Sequence, residues 1–301
     1  MSTRLLVLGA TGMLGHTLMR ELSRDPELDV RGCARDGAAV RAFFPEPLAR
    51  RITVGLDVTD VAGVRRELDR ERPDVVVNCV GVIKQRPTAT EPVPTITVNA
   101  LFPHLLAEAC ADRGIRLVQV STDCVFSGDR GGYTEADRPD PVDLYGRAKL
   151  LGETTDGTAL TLRTSIIGHE LQGHRSLMDW FLAQTGVVRG YTGAIYSGVT
   201  TVEFSSVLRS VVLPDPGLTG LYHLASEPIS KYELLGLVAD VYGWHGTVVP
   251  FDDFRCDRSL SADALRTRTG YEPPAWPEMI RRMHEAATRW QQPKIAGLQP
   301  A

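Results

Sequence analysis

The sequence predicts an α/β protein built on a doubly wound parallel sheet, with a smaller C-terminal lobe interleaved into it. Three observations carry this. Short β-branched or leucine-rich runs alternate with helix-patterned segments through the first half, as βαβ units do. The runs VVVN and RLVQVS are apolar with little alternation, which suits strands covered by helices on both faces. A glycine-spaced turn, GATGMLG, follows the first run directly and opens a helix.

In chain order, strands are expected at residues 4–8, 29–33, 51–55, 74–79, 116–121 and 159–164. Between them, Leu14, Leu18 and Leu22 repeat at helical spacing, as do Leu101, Leu105 and Ala109, and both stripes are expected to face the core. Past residue 165 the alternation fades. A further strand is expected at GLYHLA (220–225), and helices at 231–242 and 277–290. This predicts a dinucleotide-binding unit of residues 1–165 plus about 198–226, and a substrate lobe of 166–197 and 227–301.

With 301 residues, 43% hydrophobic and 23% charged, the chain can bury a sizeable core. Its net charge of -4 supplies no basic field for a nucleic-acid backbone or an anionic membrane, so neither partner is expected. The five cysteines are scattered and contain no CxxC pair, which reads as reduced thiols without a zinc or redox site. No leader and no run near the ~20 apolar residues of a membrane span is visible, so a cytoplasmic protein is expected.

The turn gives each glycine a job. Gly9 permits the tight turn, Gly12 lets the backbone approach a pyrophosphate, and Gly15 lets the helix pack on the strand. With Thr11, Met13 and Leu14 they form the expected phosphate cradle at a helix N-terminus. This is the Rossmann arrangement for a dinucleotide. Arg35 ends the second strand, where a guanidinium can pair with a 2′-phosphate, so NADPH is favoured and NADH is the alternative. Asp57 and Val58 follow the third strand and are assigned to the adenine, with Thr59 as a competing helix cap. Cys79, Val80 and Gly81 are placed beside the nicotinamide ribose.

Ser121-Thr122-Asp123 ends the fifth strand, and YGRAK puts Tyr145 and Lys149 at i and i+4 on one helical face. An ammonium beside a phenol is expected to lower its pKa and prepare Tyr145 as general acid or base. Thr122, at the carboxyl end of a parallel strand, is expected to hold a substrate carbonyl. Taken together, these motifs resemble the extended short-chain dehydrogenase/reductases. Within that group, STDCVFSG, Tyr133, Pro141, YGRAK and GE resemble the dTDP-4-dehydrorhamnose reductase branch.

The resemblance implies NADPH-dependent reduction of a nucleotide-activated 4-keto-6-deoxyhexose, with Thr122, Tyr145, Lys149 and Asn99 as catalytic positions. A sugar-nucleotide epimerase and a non-catalytic regulatory subunit are the rival readings. For Asn99, Pro103 suggests a carbonyl freed from its helical donor to hold a water, and a helix that begins near Pro103 is the competing expectation. The substrate contacts expected are Lys84, Thr122, Asp123, Cys124, Ser165 and Arg258, with Arg86, His174, Arg175 and Trp180 as further nucleotide contacts. His169-Glu170 reads as surface, no metal ligand set is expected, and a homodimer is the default assembly.

Overall fold

The structure is a computed structural model that describes residues 2–82, 91–173 and 175–290. Its first half follows the expected alternation: β1 (Thr3–Leu8), α1 (Met13–Leu22), β2 (Leu28–Ala34), α2 (Gly37–Phe43), α3 (Glu46–Ala49), β3 (Ile52–Val54), α4 (Val61–Glu71) and β4 (Val75–Asn78). It continues with α5 (Pro92–Ile96), α6 (Phe102–Ala111), β5 (Arg116–Thr122), α7 (Leu144–Leu151) and β6 (Leu160–Thr164). The second half holds β7 (Ile166–Ile167), α8 (Leu177–Leu182), β8 (Val187–Tyr196), β9 (Val199–Thr200), α9 (Thr201–Val207), β10 (Gly220–His223) and β11 (Ile229–Ser230). The last elements are α10 (Lys231–Tyr242), β12 (Thr247–Asp257), α11 (Asp263–Thr269) and α12 (Trp276–Trp290).

Seven strands form one sheet in the order β10-β6-β5-β4-β1-β2-β3, every pair parallel. The chain winds outward from β1 in one direction and then from β4 in the other. The switch point therefore falls between β1 and β4, where an open α/β sheet leaves a crevice at its carboxyl edge. β4 is buried along its whole length, as are all but one residue of β5, which explains the missing alternation in both. Leu14, Leu18 and Leu22 are buried beneath the sheet as expected.

The second stripe needs correction. Leu101 is 51% exposed, and the face of α6 that packs inward carries Phe102, Leu106, Ala109 and Cys110. Residues 97–101 form a π-turn between α5 and α6. The two candidate stripes lie one residue apart with the same spacing, so periodicity alone does not choose between them; the extra residue of the π-turn sets the phase.

Two long strands escaped the sequence reading. β8 and β12 pair in parallel in a three-stranded sheet ordered β11-β8-β12. Pro250 and the Asp252-Asp253 pair argue against a central strand, and β12 is in fact an edge strand, where a missing N–H and charged side chains are tolerated. α12, which the sequence reading placed with the smaller lobe, packs on α9 and α10, and its Trp290 donates to Glu21 of α1 at 3.0 Å.

Candidate active site

A cleft of about 640 Å³ opens at the carboxyl edge of β1, β4 and β5. One wall is the glycine turn. Gly9 has φ +81°, a conformation that L side chains rarely adopt, and its carbonyl accepts from Gly12 N at 2.9 Å. A Cβ on Gly15 would lie 2.1 Å from the Gly9 oxygen, so only glycine lets α1 start this close to β1. Gly12 caps α1 with no side-chain hydrogen bond, which leaves the first N–H groups of the helix facing the cleft beside Thr11, Met13 and Leu14. Gly9 and Gly15 shape the turn from behind and do not line the opening.

Arg35 lines the same cleft, exposed and without an ion-pair partner among the described residues. Asp36, its neighbour, is committed elsewhere: its carboxylate caps α2 by accepting from Ala38 N at 2.7 Å. Asp57 and Val58 are not brought to the cleft wall. Asp57 Oδ1 accepts from the Thr59 N–H at 2.9 Å and from its hydroxyl at 2.7 Å, and these bonds hold its carboxyl below the usual range. Thr59 therefore does not cap α4. Asp60 does, accepting from Gly63 N at 3.0 Å.

Cys79, Val80 and Gly81 form the next stretch of wall. Asn78, which the sequence reading passed over, positions them: its Oδ1 accepts from Val80 N at 3.1 Å while its Nδ2 donates to Gln119 at 2.9 Å. A buried asparagine closing an apolar strand was the available signal. Asn99 clamps the same loop, accepting from Val82 N and donating to Val82 O, both at 2.9 Å. α6 begins at Phe102 with Pro103 in its first turn, as the competing expectation had it, and the π-turn of residues 97–101 leads into it without a break. The Asn99 carbonyl faces Gly152, where a Cβ would come within 2.0 Å of it.

Thr122, Tyr145 and Lys149 all line the cleft opposite the glycine turn. Gly146 makes this possible: a Cβ there would sit 2.2 Å from the Cys124 carbonyl oxygen, so α7 lies directly on the loop after β5. Asp143 caps that helix by accepting from Gly146 N at 2.8 Å. The electrostatics differ from expectation. Burial pushes the Tyr145 phenol up, the adjacent Cys124 adds to this, and a hydrogen bond with Thr122 offsets part of it. Lys149 is turned to a backbone partner. Its Nζ donates to the Val120 carbonyl at 2.6 Å, and burial brings its own pKa down to about 8 against the opposing charge of Glu153.

Asp123 and Ser165 line the cleft beside Thr122, joined by a 2.6 Å bond from the serine hydroxyl to Asp123 Oδ2. Cys124 lines it too. Arg258 borders this end without lining it. Its Nε donates to the Phe126 carbonyl at 2.9 Å, and its guanidinium lies 3.9 Å from the Cys124 sulfur. Arg175 lines the cleft; Trp180, on α8, does not. Lys84, Arg86 and His174 lie outside the described residues.

His169 is not a loose surface residue: it bonds Asp179 at 2.9 Å and Tyr242 at 2.8 Å, fixing the segment that carries Glu170 to the cleft. Behind the site, Glu153 accepts from Ser121 at 2.7 Å and takes a two-pronged bond from Arg163, a buried pair that nothing in the sequence spacing announced. Among the described residues, no group of three His, Cys, Asp or Glu side chains is arranged to hold a metal, and no helix is long and apolar enough to cross a membrane.

Among curated proteins, the chain is 29% identical over 255 residues to a probable low-salt glycan biosynthesis reductase of Haloferax volcanii, covering 81% of each. It is 26% identical over 263 residues to methionine adenosyltransferase 2 subunit beta of Xenopus tropicalis, covering 79% of this chain and 72% of that one. Its fold is that of dTDP-4-dehydrorhamnose reductase from Bacillus anthracis, solved in complex with NADP, with a TM-score of 0.77 at 24% identity over 94% of this chain and 99% of the other. Residues 3–288 match the RmlD substrate binding domain family, from the first strand through the last helix, and the chain belongs to that family.

Proposed function

We propose that the protein reduces the keto group of a nucleotide-activated 4-keto-6-deoxyhexose with NADPH, in the manner of dTDP-4-dehydrorhamnose reductases. One observation carries the reading: Thr122, Tyr145 and Lys149 open onto the same cleft as Arg35 and the start of α1, whose N–H groups no side chain caps. The residues present fit the cofactor. The α1 N–H groups with residues 11–14 would hold the pyrophosphate, Arg35 the 2′-phosphate, and Val80, Gly81 and Lys149 the nicotinamide ribose. When bound, the dihydronicotinamide supplies a hydride to the carbonyl carbon.

The chain's own contribution is a proton and its placement. The Tyr145 phenol, which burial pushes up further from its ordinary value, holds its proton near neutral pH, as a general acid for a forming alkoxide must. Lys149 places an ammonium at the floor of the cleft. Asp123, Cys124 and Ser165 would meet the sugar, and Arg258, at the margin of the cleft, would reach the diphosphate. The sheet ordered β11-β8-β12 and the segments around it would form the substrate lobe.

The test is incubation of the protein with NADPH and a panel of 4-keto-6-deoxyhexose nucleotides, following both cofactor oxidation and the sugar product. Net oxidation with a new C4 hydroxyl supports the reading. Redox-neutral isomerisation would make the protein an epimerase. Cofactor binding without turnover on any sugar would place it with the regulatory subunits.

A further inference from the structure

Glu153 follows Lys149 by four residues, as Lys149 follows Tyr145, so the spacing of the site's helical face continues one step past the end of α7. Its side chain is only 8% exposed, and two neighbouring strands supply its partners. Ser121 of β5 and Arg163 of β6 are register partners, and both donate to the carboxylate: the serine hydroxyl to Oε1 at 2.7 Å, the guanidinium to Oε1 and Oε2 at 2.8 Å each. Such a two-pronged guanidinium bond is the mark of a carboxylate. Lys149 donates to the carbonyl of Val120, the residue before Ser121, so the ammonium and the carboxylate are held against consecutive residues of one strand.

Arg163 is itself fixed from behind. Its guanidinium lies 5.3 Å over the Phe126 ring, and its Nη1 lies 3.4 Å from His223 Nε2. His223 Nδ1 lies 3.2 Å from the Tyr133 carbonyl, which can only accept, so Nδ1 carries the ring proton and Nε2 accepts from the arginine. Burial holds His223 below its ordinary pKa, in keeping with that neutral form. Around Lys149 the other titratable groups are Tyr145 on its own helix, the Cys79 thiol, which burial pushes up to about 12, and Asp123 and Cys124 on the turn after β5. Asp123 accepts from Ser165, and α5 and the π-turn, which also pack on α7, carry no titratable side chain. Burial favours the neutral amine of Lys149, and Glu153 is the largest charge acting against it.

We propose that Glu153 is a positioning residue that sets a fixed negative charge behind Lys149 and so keeps the ammonium charged through neutral pH. Ser121 and Arg163 hold the carboxylate in place. Because they occupy both of its oxygens, it acts on Lys149 through space and does not take its proton. The inference rests on the reductase reading above and adds to it a residue that does not line the cleft.

The experiment titrates Lys149 in the intact protein by NMR of ¹³C-labelled lysine, beside the pH profile of kcat, for the parent and Glu153→Gln. The chain has four lysines, Lys84, Lys149, Lys231 and Lys294, so comparison with Lys149→Met assigns the signal. Glu153→Gln is expected to lower the Lys149 midpoint from about 8 by about one pH unit. The loss of kcat should then be about fivefold greater at about pH 8 than at about pH 6, whereas a merely structural loss would be equal at both. A midpoint that moves by less than about 0.3 pH unit, or a loss of kcat that is the same at both pH values, overturns the inference.

Should Glu153→Gln leave Arg163 unpaired and fail to fold, the combination of Glu153→Gln with Arg163→Met removes both buried charges together, and the same two criteria decide. A protein whose Lys149 midpoint responds as expected but which reduces no 4-keto sugar would sink the reductase reading alone, a distinct result.

Discussion

Replacing Gly146 with alanine puts a methyl group where the molecule has no room for it. The new Cβ would lie 2.2 Å from the Cys124 carbonyl oxygen, 3.0 Å from the Pro141 Cβ and 3.1 Å from the Cys124 carbonyl carbon, against 3.4 Å for ordinary contact. These neighbours are backbone and a proline ring, which cannot swing aside, so α7 and the loop after β5 must separate by about 1 Å to restore ordinary contact. Overpacking of this kind costs about 1–3 kcal/mol, and the better helix propensity of alanine returns up to ~1 kcal/mol, so the net loss of stability is modest.

The effect on rate is larger. The separation lies between Tyr145 and Thr122, and a misplacement of about 1 Å at reacting groups can cost on the order of 10²-fold. Gly146→Ala is therefore expected to lower kcat by about 10²-fold while unfolding cooperatively in denaturant, with stability reduced by no more than about 2 kcal/mol. Gly236→Ala is the control: it lies within α10 with nothing within 4 Å of the new Cβ, and should stabilise by roughly 0.5–1 kcal/mol without changing kcat. A Gly146→Ala protein with kcat within about threefold of the parent would refute the claim that this contact sets the catalytic geometry.

Other consequences can be checked on the same preparation. Tyr145→Phe removes the proton donor and should abolish turnover while NADPH titration shows an unchanged affinity; substantial residual activity would remove Tyr145 from the chemistry. Because Lys149 has a pKa lowered to about 8, its ammonium is present below that pH and lost above it, so kcat should fall as pH rises through about 8. Lys149→Met should eliminate that limb of the profile, and a profile that is flat for the parent would show that the ammonium is not needed. Arg35→Ala should reduce kcat/KM for NADPH by about 10–100-fold and leave NADH nearly unaffected, as expected for a charged bond worth ~1.5–3 kcal/mol; equal losses for both cofactors would place Arg35 away from the 2′-phosphate.

Much of the fold was legible because it rests on local rules. The apolar runs at 75–78 and 116–121 mark buried parallel strands, the glycine spacing marks the turn, and the i, i+4 pair marks a helical face. Those regularities also put Thr122, Tyr145 and Lys149 in view, since each occupies a fixed offset from the end of a strand or the start of a helix. Gly146 was visible as a letter, but its need to be glycine appears only where a carbonyl stands 2.2 Å from the missing methyl.

The tertiary structure decided what depends on partners distant in the chain. The sequence put Leu101 on the core face, and the π-turn turned Phe102 inward in its place. β12 carried strand-breaking residues that only an edge position excuses. The lowered pKa of Lys149 and the raised one of Tyr145 follow from burial, and Asp123 meets Ser165, 42 residues away, because their strands are neighbours in the sheet. A sequence specifies which groups can donate, accept or titrate. Which of them meet, and how much water is left around them, is set by packing across the whole sheet, and the desolvation and hydrogen-bond pairing that result determine protonation and polarity at the site.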